Sequence, residues 1–135
     1  MLIQLVLVLS TISLVACEHD PCAVSSEERA TVKELTPREV ADMLAANRAM
    51  TIIDANPREI FDEGHLPGAR WLAGDDVQAV LPADRSSLVV FYCYSVACGA
   101  SHAAAKSAID AGWTQVARMP AGITGWKSAQ LVVAK

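Results

Sequence analysis

Ser87-Ser-Leu-Val-Val-Phe-Tyr-Cys93-Tyr-Ser-Val-Ala-Cys98-Gly-Ala-Ser101-His-Ala-Ala-Ala-Lys106 carries the clearest structural signal in the chain. Leu88 to Tyr92 is apolar and rich in valine and aromatic residues, the composition of a strand buried on both faces. It stops at Cys93. Small residues follow, and an Ala-rich helix is expected to open near Ser101, a residue suited to the N-cap. A thiol at such a junction faces free backbone N–H groups and the positive end of a helix. Both favour the thiolate, which is the reactive form. Strand, loop and helix in this order predict a cysteine nucleophile in an anion-binding cradle.

Outward from this stretch, the chain alternates short strands with short helices. Ala30–Leu35 contains an edge strand. Thr36-Pro37-Arg38-Glu39 marks a helix start: a capping threonine, proline at the first helical position and a glutamate that completes a capping box. Leu35 and Val40 are placed as a hydrophobic staple, and Val40, Met43 and Leu44 form one apolar stripe. Thr51–Asp54 reads as a strand ending at a carboxylate, and Pro57 and Gly64 frame a brief helix over Arg58–Glu63. His65–Ala69 is a turn by composition. Trp71-Leu72 begins another short strand, and Asp75–Val80 reads as a helix stopped before Pro82. The helix after Cys93 ends near Gly112, at the position of a C′ glycine. Thr114–Met119 is a further strand, and Ala121–Trp126 reads as a glycine-punctuated turn. The alternation implies one α/β domain: a central, mostly parallel five-stranded sheet with helices on both faces. Trp71, Trp113 and Trp126 are expected to fill its core.

The chain has 135 residues and a net charge of −4. No Lys/Arg cluster occurs, which argues against a nucleic-acid partner. The first sixteen residues, Met1 to Ala16, carry no charge, and they fall short of the roughly 20 apolar residues of a membrane span. They read as an export signal, although no basic residue precedes the apolar run. Leu14-Val15-Ala16-Cys17 resembles the lipobox of bacterial lipoproteins, which implies lipidation at Cys17, a polar tether over 17–29, and the domain itself over 30–135. The expected location is the cell envelope or periplasm, with a membrane anchor through Cys17. Disulfides persist in such a compartment, and Cys93 and Cys98 lie close enough to bridge if the loop folds back. Cys22, in the tether, reads as a spare thiol. The cysteines lack a second Cys/His pair at zinc-site spacing, so no metal is predicted.

Four segments, in order across residues 30–134, resemble the rhodanese-like (thiosulfate sulfurtransferase-type) domain. Ile52-Ile53-Asp54 resembles its strand ending in aspartate. Glu59-x-x-x-x-Gly64-His65-Leu66-Pro67-Gly68-Ala69 resembles its signature turn. Val89–Cys93 followed by Ser101-x-x-Ala104-Ala105 resembles the active-site strand, loop and helix. Gly112-Trp113-x-x-Val116 with Gly122-Ile123-x-Gly125-Trp126-Lys127-x-Ala129 resembles the C-terminal end. The resemblance implies sulfur transfer without a cofactor. Cys93 would take a sulfane sulfur from thiosulfate, a persulfide or a polysulfide, hold it as a persulfide, and yield it to a thiol or cyanide. Tyr94, Ser95, Val96, Ala97, Gly99, Ala100, Ser101 and His102 would form the substrate-binding segment.

Two departures stand out. Eight residues, Cys93 to Ala100, occupy an interval that is shorter in the family. The family places an arginine before the helix, where this chain has Ala100, and no arginine occurs between Arg85 and Arg118. That also excludes a phosphatase loop, which needs an arginine fork for its dianion. His102 or Lys106 could supply part of the charge. Asp54 and His65 are expected to brace the surrounding loops rather than act on substrate, and Arg58 and Arg70 to pair on the surface. Cys98 suggests a resolving thiol that closes a Cys93–Cys98 disulfide. Two rival readings therefore stand beside the transferase. One is a thiol–disulfide redox protein using that pair, and the other is a catalytically inactive rhodanese-like binding module.

Overall fold

The computed structural model describes residues 30–135. The expected signal over 1–16, the tether over 17–29, Cys17 and Cys22 lie outside the described residues. Five strands form one sheet in the order β1-β5-β4-β2-β3. They are β1 (Lys33–Glu34), β2 (Thr51–Asp54), β3 (Arg70–Trp71), β4 (Val89–Tyr92) and β5 (Val116–Met119). Every pairing is parallel. The helices are α1 (Pro37–Ala45), α2 (Arg58–Glu63), α3 (Ala100–Asp110) and α4 (Gly122–Ser128).

The central strand β4 is buried along its whole length. Successive side chains of a strand point to opposite faces, so each face needs its own cover. Ile53, Val89, Phe91 and Val116 pack with Ala104, Ala105 and Ala108 of α3. Ile52, Val90, Tyr92, Ala117 and Met119 pack on the other face with Val40 of α1 and Ile123 and Trp126 of α4. The alanines let α3 lie close against the sheet. Helices thus cover both faces, as the alternating sequence predicted.

Local signals account for most boundaries. Thr36 and Glu39 form the capping box of α1, each side chain bonding the other's backbone N–H. Leu35 and Val40 join the same core cluster. Helix α3 ends in a Schellman motif: Gly112, at φ 100°, donates to Ile109, and Trp113 N–H donates to the Ala108 carbonyl.

Four expectations need correction. Asp75–Val80 is not an α-helix but a single 3₁₀ turn, Val77–Ala79, because Asp76 takes the Gln78 N–H and Pro82 limits the segment. Ala121–Trp126 is not a turn: Gly122–Ser128 forms α4, a helix held by tertiary contacts despite two glycines. Trp71 is half-buried rather than core, its indole N–H donating to the Asn56 carbonyl at 3.0 Å. Ser101 does not cap α3. The helix begins at Ala100 with Gly99 at the N-cap and no side-chain cap bond. Ala100, Ser101 and His102 are therefore its first turn, not loop.

A buried latch ties β2, β4 and the 65–69 turn together. Tyr92 donates its hydroxyl to the Asp54 carboxylate and accepts the Leu66 N–H at 3.1 Å. Asp54 also accepts the Asn56 N–H at 2.8 Å. Burial raises the Asp54 pKa above the ordinary carboxylate value, and these hydrogen bonds only partly offset it. The native state therefore binds the Asp54 proton more tightly than the unfolded chain. Its stabilising contribution is complete below the unfolded pKa and is lost as pH rises through the folded one. Urea titrations across the acid range should show a falling contribution in the parent chain, and a flatter profile in Asp54→Asn.

Candidate active site around Cys93

Cys93 follows the last residue of β4, at the end of the sheet where the parallel strands deliver their C-termini. Its backbone is held from the far side. The Cys93 carbonyl accepts the Ile123 N–H at 2.8 Å, and the Tyr94 carbonyl accepts the Thr124 N–H at 3.0 Å. Gly122 makes this approach feasible. It sits at φ 63°, and a Cβ there would lie 2.5 Å from the Tyr94 carbonyl and 2.6 Å from that of Cys93. Any side chain would push α4 off the loop. Gly122, Ile123 and Thr124 are site-shaping residues that composition alone did not reveal. Their signal was the Gly-Ile-x-Gly run, which the turn reading had absorbed.

From this anchored base, residues 94–99 arch over the strand end. Tyr94 and Val96 stand exposed, at 49% and 79%. Ala97 and Gly99 are exposed, and Ser95 and Cys98 half-buried. The Cys98 N–H closes the arch on the Ser95 carbonyl at 3.0 Å. Cys98 then returns to Cys93: the two sulfurs are joined in a disulfide, with Cα atoms 6.4 Å apart. The fold-back imagined from spacing is present.

The surroundings of the Cys93 sulfur differ from the expected ring of main-chain amides. Cys93 is buried, at 1% exposure. Its sulfur lies 3.4 Å from the Ser101 hydroxyl oxygen and 3.3 Å from the Cys98 carbonyl oxygen. No backbone N–H of the described residues donates to it. In this disulfide form the sulfur is sealed by the loop that carries Cys98. The first-turn N–H groups of α3, left without a side-chain cap, remain the nearest positive end of a dipole.

The expected charge replacements are absent from the sulfur. Lys106 pairs with Asp110 at 2.7 Å on the exposed side of α3, and His102 is exposed. Arg58 pairs with Asp62 at 2.9 Å and stacks on Trp71, and Arg70 donates to the Val80 carbonyl. Asp54 and His65 brace, as anticipated. His65 stacks on Phe61, and its backbone pairs with Ala134. Among the described residues no group of His, Cys, Asp and Glu is arranged to hold a metal ion.

The profile of the Rhodanese-like domain matches residues 36–129. The chain belongs to the rhodanese-like family. It is 30% identical over 115 residues to a probable adenylyltransferase/sulfurtransferase of Mycobacterium tuberculosis, covering 78% of this chain and 28% of the relative. It is 30% identical over 129 residues to an HTH-type transcriptional regulator of the same organism, covering 90% of this chain and 55% of the relative. The chain thus spans about half, or less, of the curated relatives it matches. The crystal structure of thiosulfate sulfurtransferase from Pseudomonas aeruginosa superposes with a TM-score of 0.66 at 21% identity, covering 76% of this chain and 20% of that one. That likeness is one of fold.

Gly122→Ala tests the clamp on the loop base. Forcing a Cβ between α4 and the Cys93 and Tyr94 carbonyls, at a positive φ, should cost about 2 kcal/mol or more. The urea midpoint should fall. Gly68→Ala, also at positive φ but in open space, should cost less.

Proposed function

We propose that this domain is a sulfurtransferase in which Cys93, once reduced, accepts a sulfane sulfur and holds it as a persulfide. The observation that carries this reading is the position of Cys93, at the mouth of the central strand and against the uncapped start of α3, in a chain of the rhodanese-like family. In the first half-reaction the Cys93 thiolate attacks the terminal sulfur of a persulfide or polysulfide. That S–S bond breaks, and the donor leaves with the bonding pair as a thiolate or shortened polysulfide. In the second, a thiolate or cyanide attacks the outer sulfur of the Cys93 persulfide, and Cys93 thiolate leaves. No cofactor is required, since the sulfur travels on the protein.

The loop composition bears on the donor. Ala100 is exposed where an arginine would be expected, and thiosulfate is a dianion. Losing one charge-assisted hydrogen bond to it costs about 1–3 kcal/mol. A singly charged persulfide loses less. The proposed substrate class is therefore a persulfide or a singly charged hydropolysulfide, with thiosulfate a poor donor. We also propose export and attachment to a membrane through lipidated Cys17, supported by the uncharged run Met1–Ala16 and the Leu14-Val15-Ala16-Cys17 sequence.

Intact-mass analysis tests the reaction. Reduced Cys98→Ser protein treated with polysulfide should gain one sulfur that cyanide removes, and the double variant Cys93→Ser/Cys98→Ser should not gain it. A Cys98→Ser chain that binds no sulfur under these conditions would leave the inactive binding-module reading in place.

The donor preference has its own test. Ala100→Arg should improve kcat/KM for thiosulfate on the order of tenfold and change polysulfide turnover little. Equal gains for both donors would refute the charge argument.

A further inference from the structure

Cys98 is unexplained by sulfur transfer alone. The disulfide it forms joins residues only five apart, in a loop already anchored by Ile123 and Thr124. Closing so short a loop removes little entropy from the unfolded chain, so the bond is poorly placed as a staple. It is well placed for chemistry. The two sulfurs meet without any other element moving between them, and they differ in access. Cys98 is half-buried, whereas Cys93 is sealed, with the Ser101 hydroxyl oxygen 3.4 Å from its sulfur.

We infer that Cys98 resolves the Cys93 persulfide and expels its sulfur as hydrosulfide, making the domain a sulfane-sulfur reductase. This rests on the persulfide reading above. The Cys98 thiolate attacks the inner sulfur of the persulfide, Cys93 Sγ. The Sγ–S bond breaks, and its electron pair leaves with the outer sulfur. The Cys98 proton ends on that sulfur as hydrosulfide. The outer sulfur is reduced by two electrons, and the two cysteine sulfurs together lose two as the disulfide forms. The disulfide form described here is the product of that step.

Recovery requires an external dithiol or two thiols as reductant. The attack falls on Cys98 Sγ, the accessible sulfur, and Cys93 departs as thiolate. Ser101 Oγ, 3.4 Å from that sulfur, can turn its proton toward it once it is a thiolate, and the uncapped first turn of α3 lies beside it. Reduction would therefore leave Cys93 ready to accept the next sulfur, with Cys98 carrying the mixed disulfide until the second thiol removes it. The asymmetry in burial sets the direction of the cycle.

The test uses the full chain, reduced, freed of reductant and mixed with one equivalent of inorganic polysulfide. Hydrosulfide is measured before any thiol is added, and the tryptic peptide spanning 86–106, which holds both cysteines, is weighed. The parent chain should release about one equivalent beyond a Cys93→Ser control and yield a peptide lighter by two hydrogens. Cys98→Ser should hold a stable, cyanide-labile extra sulfur and release at least tenfold less hydrosulfide until thiol is added. A parent chain that keeps its extra sulfur and releases none without added thiol overturns the resolving role while leaving sulfur transfer intact. Absence of the extra sulfur from both the parent chain and Cys98→Ser overturns the transfer reading itself, and with it this one.

Discussion

Two backbone hydrogen bonds, from Ile123 and Thr124 to the carbonyls of Cys93 and Tyr94, set the geometry on which the site depends. A strand end is ordinarily free to fray, because its next residue has no ladder partner. Here the first turn of α4 takes over where β5 leaves off and holds the chain at the moment it exits the sheet. The reactive position is thereby fixed by main-chain contacts, and its side chain need not contribute to its own placement. Gly122 is the condition for this arrangement, since only a residue without Cβ lets the two backbones approach so closely. The Asp54–Tyr92–Leu66 latch acts one residue earlier on the opposite side. Cys93 is consequently held between two anchors that come from different ends of the sequence.

Much of this fold was legible because its signals are local. The capping box at Thr36, the glycine that terminates α3 and the apolar run of β4 each state their structure within a few residues, and each appears where the residues place it. The failures share a cause as well. Helix α4 was read as a turn because glycines disfavour helix in isolation. Its stability comes from Trp126 and Ile123 buried against the sheet, and from α1, which no local window contains. Ser101 was read as a cap because serine usually caps; its hydroxyl instead faces a sulfur eight residues earlier in the chain. The position of Cys93 was legible, since strand-end cysteine before a helix is a local pattern. The sealing of its sulfur was not, because that depends on the path of the 94–99 arch.

The electrostatics of the site follow from what surrounds it. Of the carboxylates, Asp54 is latched, and Asp62 and Asp110 are paired at the surface. Arg58 and Lys106 are the cations held in those two pairs. What remains for an incoming anion is the dipole of α3 and the unpartnered loop amides, a field adequate for one negative charge on sulfur and weak for two. On the proposed reading such a site would discriminate by charge number rather than by shape, which is why the donor proposal turns on Ala100 and not on the volume of any cavity.

A second thiol within bonding distance changes what a persulfide can do. On a lone cysteine, the outer sulfur waits for an acceptor, and its fate is set by whichever nucleophile arrives. With Cys98 tethered in the same short loop, the effective concentration of the internal nucleophile exceeds that of dissolved thiols, provided the loop reaches without strain elsewhere. The arch already brings the two sulfurs together, its base pinned on Cys93 and Tyr94 and its crown held by the Cys98 N–H on the Ser95 carbonyl and the Ala103 N–H on the Gly99 carbonyl. Competition between the inner and outer sulfur then becomes a matter of geometry. Cys98 meets Cys93 Sγ itself, so its line of attack is to the inner sulfur, and transfer to an outside acceptor must outrun that closure. On the proposed chemistry, the Cys98-bearing loop and Ala100 belong to one change: less grip on a charged donor, and more control over what happens to the sulfur once it is bound.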